Sequence, residues 1–356
     1  KVLTAEFNQQ KTTSVQFFTN QQPVGILFDP KQHWLFSITT NLSESMLFHV
    51  LRYGDNIRNK IWSGQALLQL GTPTAIESVM STITEERFFG VRLSLLESLA
   101  SYGIRYSKQI ALLLRSEKDK RCLWKMLMAC EIPSKHIRKI LLELLMDEEL
   151  GPVSRRWALV ALGAQKNPND IHLLVQEAKK KNPHTMANKG AIQGLGKHNT
   201  LEALDQLMEF VQPGVCDLRL RPFCVKGISL CASKQNKRHQ GRAYDLLIEL
   251  LCDEQYHVRL SAIEGLALLG DTDAVQHIEN ALPSMARQDH PHIKALLNQL
   301  LFEGEQAGGV KVLESQVVHL MDKVNSLSSE LEALQSQFNR LGETGHVLIN
   351  EKEGGD

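Results

Sequence analysis

The stretch ERFFGVRLSLLESLASYG, residues 86–103, has a near-twin in DEQYHVRLSAIEGLALLG, residues 253–270. Arg92 is followed by Leu99 and Gly103, seven and eleven residues on, and Arg259 by Leu266 and Gly270 at the same distances. The register recurs from Lys60, Arg92, Arg121, Arg155, Asn188, Arg221, Arg259 and Lys294, at spacings of 29 to 38 residues. RRWALVALG from Arg155 and NKGAIQGLG from Asn188 follow it closely. The Arg121 and Lys294 units fit poorly, the second at the end of the array, where an atypical capping unit is expected.

Between these segments lie others with apolar residues three and four apart, the helical period, such as SKHIRKILLELLM (134–146) and TLEALDQLMEFV (200–211). Ser134, Asn169 and Thr200 stand at N-cap positions, and Pro133, Pro152, Pro168, Pro183 and Pro213 fall where helices must stop. Each unit is therefore two helices, and neither can bury its apolar stripe without stacking on the next. Small residues let such helices approach closely, so Cys224 and Cys231 read as packing residues. Gly71, Gly103, Gly163 and Gly270 suit left-handed C-terminal caps. An acidic residue lies six positions before the arginine in three units: Glu86 before Arg92, Glu149 before Arg155 and Asp253 before Arg259. The expectation is a structural ladder between successive turns rather than an anion-binding row.

The D/E-x5-R spacing with A-L-G-x-L-G behind it resembles HEAT repeats over residues 43–304. The expected fold class is mainly α, a HEAT-like α–α superhelix of about eight helix pairs over 43–305, with a short β-sandwich remnant before it and a coiled-coil helix after it.

Residues 1–42 differ from the array. SVQFFTN (14–20), VGILFD (24–29) and HWLFSIT (33–39) are short, rich in β-branched and aromatic residues and broken by turn signals, as strands are. Three strands do not make a sandwich, so they read as the last strands of one begun before Lys1, in a chain cut from a longer protein. FDP with Trp34 and Leu35, then Lys60, Ala66 and Leu67, then Phe89, Gly90, Val91, Arg92 and Leu99 resemble the C-terminal half of zinc aminopeptidases of the aminopeptidase N family, most strongly over 23–103. The resemblance implies a non-catalytic region that restricts substrate access and mediates assembly, with the parent's zinc and HExxH motif upstream of Lys1. In this chain no two of the thirteen histidines stand four apart, so no catalytic, cofactor or metal residue is assigned to it.

At the other end, Val310, Leu313, Val317, Leu320, Val324, Leu327, Leu331, Leu334, Phe338 and Leu341 alternate in steps of three and four. Valine mostly at a and leucine at d favour a parallel two-stranded coiled coil, so residues 306–342 are expected to join two copies as a homodimer. Residues 343–356 read as a polar, disordered tail.

Forty basic residues balance forty acidic ones, so no overall field draws nucleic acid or anionic lipid. No apolar run approaches a membrane span. Six cysteines contain no CxxC pair and suit reduced thiols in a cytoplasmic protein. There is no GxSxG, P-loop or dinucleotide fingerprint. Basic loops at Lys179–Lys181 and at Lys234, Lys237, Arg238 and Arg242 raise nucleic-acid binding, which the neutral charge and the apolar settings of Trp124 and Trp157 disfavour. The alternative to an aminopeptidase appendage is a HEAT-repeat scaffold, an inactive peptidase-like adaptor holding a protein or peptide on its concave face.

Overall fold

The computed structural model describes residues 16–29, 31, 33, 39–181, 184–302, 321 and 323. They form sixteen helices and, among the described residues, no strand. The chain divides into two compact units, Lys1–Ala243 and Tyr244–Asp356.

The first unit holds α1 (Glu44–Tyr53), α2 (Ile57–Leu70), α3 (Pro73–Glu85), α4 (Phe89–Ser101), α5 (Ser107–Ser116), α6 (Lys120–Ala129), α7 (Lys135–Met146), α8 (Pro152–Ala164), α9 (Ile171–Lys179), α10 (Met186–His198), α11 (Leu201–Phe210) and α12 (Arg221–Ala232). Helix α13 (Lys237–Leu250) straddles the division. The even-numbered helices form one layer, in which α2 touches α4, α4 touches α6, and so on through α8 and α10 to α12. The odd-numbered helices lie against them, with α1 on α3, α5 on α7 and α9 on α11. This is the HEAT-like arrangement of stacked helix pairs. The second unit contains α14 (Tyr256–Leu269), packed on α15 (Ala274–Ala281), and a helix over 290–302.

Local chemistry sets the helix ends. Ser134 and Thr200 accept from backbone N–H groups of α7 and α11 as N-caps, and Pro152 opens α8 at a position needing no N–H. Asn169 is no cap: Asn167 caps a short 3-10 turn at Pro168–Asp170, and α9 begins only at Ile171. Gly71 and Gly270 do end α2 and α14 in the left-handed region, at φ 66° and 74°. Gly163 is helical instead, and α8 runs on to Ala164. Gly103 follows Tyr102, the cap of α4, into a 3-10 turn.

The reason for Gly163 is close approach. A Cβ there would stand 2.5 Å from Cα of Gly194, and one on Gly194 would stand 2.5 Å from the Leu159 carbonyl oxygen. A Cβ on Gly196 would lie 2.8 Å from Cα of Gly227. Helices α8, α10 and α12 thus meet backbone to backbone, and nearly every residue of the second half of α8 is buried. Cys224 and Cys231 are buried in this packing.

The expected β-sandwich remnant is absent among the described residues. Residues 16–29 run without a ladder partner, and most of the third candidate strand, with Trp34 and Leu35, lies outside the described residues. A strand's polar groups need another strand, whereas here a side chain takes that place. The Phe28 N–H donates to Asn59 Oδ1 at 3.2 Å, and Asn59 Nδ2 donates to the Phe28 carbonyl at 3.0 Å. The Phe28 ring stands edge-on to Trp62, centroids 5.6 Å apart, and Asp29 at φ 41° turns the chain out of extension. The coiled-coil positions from Val310 to Leu341 lie outside the described residues.

Candidate interaction surface

Two sets of cations leave the even-numbered helices, with different partners. The first is the ladder. Arg92 Nη1 donates to the main-chain carbonyls of Glu86 at 2.9 Å and Arg87 at 3.2 Å. The Glu86 carboxylate binds Lys60 Nζ of α2 at 2.7 Å. Arg92 itself reaches forward to Glu117 at 3.2 Å and Asp119 at 3.5 Å. Arg155 donates to the Leu145 and Asp147 carbonyls at 3.1 and 3.3 Å and grips Glu177 of α9 through two nitrogens, at 3.2 and 3.1 Å. Glu149 does not meet Arg155; its N–H donates to the Asp147 side chain. Asn188 and Arg221 hold the same column by donating to carbonyls of the preceding helix ends, Asn188 to Lys180 at 2.7 Å and Arg221 to Val211 at 2.7 Å. In the second unit Arg259 donates to the Asp253 carbonyl at 2.9 Å and to that of Glu254 at 3.2 Å. The ladder residue thus satisfies the carbonyls left orphaned where the previous helix ends.

These charges are spent on structure. Burial alone would raise the Glu177 carboxyl, but hydrogen bonds from Arg155 and Lys180 together outweigh it and hold it below 4.5. A groove of 340 Å³ beside Arg92, Glu117, Asp119 and Met126 is therefore walled by a guanidinium already held by two carboxylates.

In the second set Arg156 and Lys189 stand one residue past the ladder and Trp157, Gly190 and Phe223 two past it, whereas Lys125 follows its ring and stands three past Cys122. Trp124, Trp157, Gly190 and Phe223 recur at intervals of 33 residues, one each on α6, α8, α10 and α12. Lys125 Nζ stands 4.9 Å from the centroid of Trp124, and the Arg156 guanidinium 4.8 Å from that of Trp157. Lys189 reaches across from α10 to the ring of Phe223 on α12, 3.7 Å from its centroid. Gly190 leaves room between the rings, for a Cβ on it would lie 2.7 Å from Cα of Arg156. Arg156 also donates to Gln193 Oε1 through two nitrogens, at 3.2 and 3.1 Å. Among the described residues, none of Lys125, Arg156 and Lys189 forms an ion pair with a carboxylate. Their partners are two indoles, a phenyl ring and an amide.

Two of these cations sit where burial disfavours their charge. Desolvation pulls the Arg156 guanidinium below its ordinary value. The Lys189 ammonium is lowered by desolvation first, then by the positive charges of Arg156 and Lys226. Cation–ring contact offsets part of that cost without neutralising the charge.

Three cations of the basic loops are engaged elsewhere. Lys179 pairs with Glu209 at 3.7 Å, Lys180 with Glu177, and Arg242 with Asp205 at 3.0 Å. Arg121, taken as a ladder start, binds Asp119 and covers the Phe89 ring, while its neighbour Cys122 is the residue buried against α4. Among the described residues no cluster of three His, Cys, Asp or Glu side chains is placed to hold a metal ion. The cation–ring column was missed because single residues looked like apolar-setting tryptophans and dispersed charges. Columns one and two past the ladder hold Arg156, Lys189, Trp157 and Phe223, and Lys125 falls outside them.

The fold and this surface define a helical-repeat chain of HEAT-like build. A family model described as the PBS lyase HEAT-like repeat matches residues 258–282, which span most of α14 and α15. Among solved structures, the complex of CpcE and CpcF of phycocyanin lyase from Nostoc sp. PCC7120 is similar at 15% identity and a TM-score of 0.32, over 76% of this chain and 98% of that chain. Likeness at that level says nothing about activity. No curated protein matches. The resemblance to aminopeptidase N over 23–103 finds no support in these findings.

Proposed function

We propose that the chain is a helical-repeat scaffold that binds other proteins, an adaptor rather than an enzyme in its own right. The observation that carries the reading is the pair of cations in one column of α8 and α10, Arg156 and Lys189, whose partners are neutral. These two charges, set on rings and an amide with no carboxylate beside them, leave a partner's acidic group something to complete. The glycine contacts between α8, α10 and α12 hold that pair on closely packed helices.

The narrower readings attach to this one. A partner on the concave face and a homodimer through Val310–Leu341 would add assembly; light scattering of the chain with and without residues 306–356 tests the dimer, and unchanged mass counts against it. Cytoplasmic placement is supported by six free thiols. A role as the appendage of a zinc aminopeptidase has no observation in the described residues that favours it over a scaffold.

The test is capture from cell extract by the full chain, followed by hydrogen-exchange footprinting of each captured protein on it. Slowed exchange over residues 121–226, lost in a Lys125→Glu/Arg156→Glu/Lys189→Glu variant that melts as the wild type does, supports the reading. Partners that bind that variant equally well, or footprints confined to other segments, refute it.

A further inference from the structure

Resting on the scaffold reading, we infer that the groove between α5 and α7 takes a short segment of a partner protein, an apolar side chain with acidic residues beside it.

The groove has a volume of about 300 Å³. Lys108, Ala111, Leu112 and Arg115 line it from α5, and His136, Lys139 and Ile140 from α7. On each helix these residues stand three and four apart, so each helix contributes a single face. The two helices are in contact, and Arg115 Nη2 donates across the seam to Glu143 Oε2 at 2.6 Å. That pair joins residues 28 apart, and the lining matches at the same offset: 108 with 136, 111 with 139 and 112 with 140. The ion pair therefore closes one end of the groove, and Lys108 and His136 stand at the other.

The middle of the groove is apolar and uncovered. Ala111 and Ile140 are buried, but Leu112 is 63% exposed. An exposed leucine alone is ordinary on a protein surface. Here it shares a groove whose charged members are all cationic.

Charge sets the sign of the occupant. No acidic residue lines the groove; α5 contains none, and α7 contains Glu143 alone, already held by Arg115. Lys108 and Lys139 make no ion pair or hydrogen bond among the described residues. Lys108 and His136 also lie in the first turns of their helices, where the helix dipole favours acidic residues and neither turn holds one. Other seams of the odd-numbered layer are balanced. Lys179 of α9 meets Glu209 of α11 at 3.7 Å, and Arg242 of α13 meets Asp205 of α11 at 3.0 Å. The positive excess is thus local to α5 and α7, and an anion complements it.

The apolar centre excludes a bare anion, since free phosphate would leave Leu112 uncovered. Single-stranded nucleic acid needs aromatic platforms, and no Phe, Tyr or Trp ring lines the groove. From Lys108 to Arg115 the helix advances about 10 Å, the length of about three extended residues. A short peptide segment fits, its apolar side chain on Leu112 and its carboxylates toward Lys108 and Lys139.

A yeast-displayed library of random twelve-residue peptides, sorted against the full chain, tests this. Clones kept by the wild type and lost on Lys108→Glu/Lys139→Glu are expected to be net acidic and to carry Leu, Ile, Met or Phe. Their consensus peptide, labelled and followed by fluorescence polarisation, is expected to bind at least tenfold more weakly to that variant and severalfold more weakly to Leu112→Ser. It is expected to bind equally well to Arg156→Glu/Lys189→Glu, which changes the net charge by the same amount. Lys108, Leu112 and Lys139 are exposed, so these variants should melt as the wild type does, and Leu112→Ser serves if the charge reversal fails to fold. The inference is overturned if no clone depends on Lys108 and Lys139, if the clones bind Leu112→Ser as well as the wild type, or if the Arg156→Glu/Lys189→Glu variant loses them equally. Displacement of the peptide from the same residues by vesicles of phosphatidylserine and phosphatidylcholine would overturn it in favour of a lipid surface. If the peptides fail while captured proteins still footprint on residues 121–226 in dependence on Arg156 and Lys189, this groove is wrong and the scaffold stands; if both fail, the scaffold falls as well.

Discussion

Replacing Gly163 by alanine should destabilise the array, while the same replacement at Gly241 should stabilise it. In the abstract both changes favour a helix, because alanine loses less backbone freedom than glycine, by about 1 kcal/mol. At Gly241, within α13, a Cβ meets nothing within 4 Å, so that gain should be retained at about 0.5–1 kcal/mol. At Gly163 the new methyl would stand 2.5 Å from Cα of Gly194, where ordinary contact begins at 3.4 Å. The Gly194 carbonyl oxygen is nearer still, so relief requires α8 and α10 to separate by more than the roughly 0.9 Å that Cα alone would need, since the obstacle is backbone and cannot rotate away. Overpacking in cores costs about 1–3 kcal/mol, and a backbone obstacle belongs at the upper end. After the propensity gain is set against it, a net loss of about 2 kcal/mol remains. A repeat array need not unfold all at once, so the assay should be local. Hydrogen exchange read by mass spectrometry should show the amides of α8 and α10 exchanging about 30-fold faster in Gly163→Ala, and those of α13 no faster in Gly241→Ala. Unchanged or slower exchange of α8 and α10 in Gly163→Ala would falsify the claim that backbone contact, and not cap geometry, is what this glycine is for.

Further expectations concern charge and thiols. Because the native Glu177 carboxyl is lowered from 4.5, its contribution to stability is complete above that value and is lost as pH falls through the lower native one. Glu177→Gln should therefore cost about 1–3 kcal/mol at neutral pH and flatten the acid limb of a urea-midpoint profile below pH 4.5; an unchanged profile would remove the ladder's electrostatic role. Burial pushes the Cys130 and Cys231 thiols up to about 12 and about 11, whereas a hydrogen bond with Cys224, helped by the Arg221 charge, lowers Cys216 against its own burial. Iodoacetamide at pH 8 should accordingly alkylate Cys216 in the native chain and leave Cys130 and Cys231 intact, and peptide mapping that finds the buried pair modified first would refute this ordering.

How far the sequence carried this structure depended on whether a feature repeats. Two-helix units were legible because each helix shows its own 3.6-residue stripe and the unit returns every 29 to 38 residues. Ser134 and Thr200 were legible as caps because capping is local to three or four residues. Gly163 was not, because its place in an A-L-G string is the same whether it ends a helix or admits another helix's backbone. The strand reading of residues 24–29 failed for a related reason. Alternation and aromatic content describe a segment able to pair, and Asn59, thirty-one residues after Phe28, supplies the pairing groups from a helix.

Charge shows the same division most sharply. Arg155 and Arg156 are neighbours of the same type on α8, and composition cannot separate them. Their side chains leave the helix about 100° apart, since a helix turns that far per residue. One turns toward α9 and finds Glu177; the other finds Trp157 and Gln193. Net neutrality over the whole chain, forty against forty, therefore conceals a local excess of positive charge. Glu86, Glu117 and Glu177 meet ladder residues, whereas Arg156 and Lys189 have no carboxylate partner among the described residues. A balanced composition argues against wholesale attraction to a polyanion, but places no limit on a local contact between an acidic group of a partner and two cations such as Arg156 and Lys189.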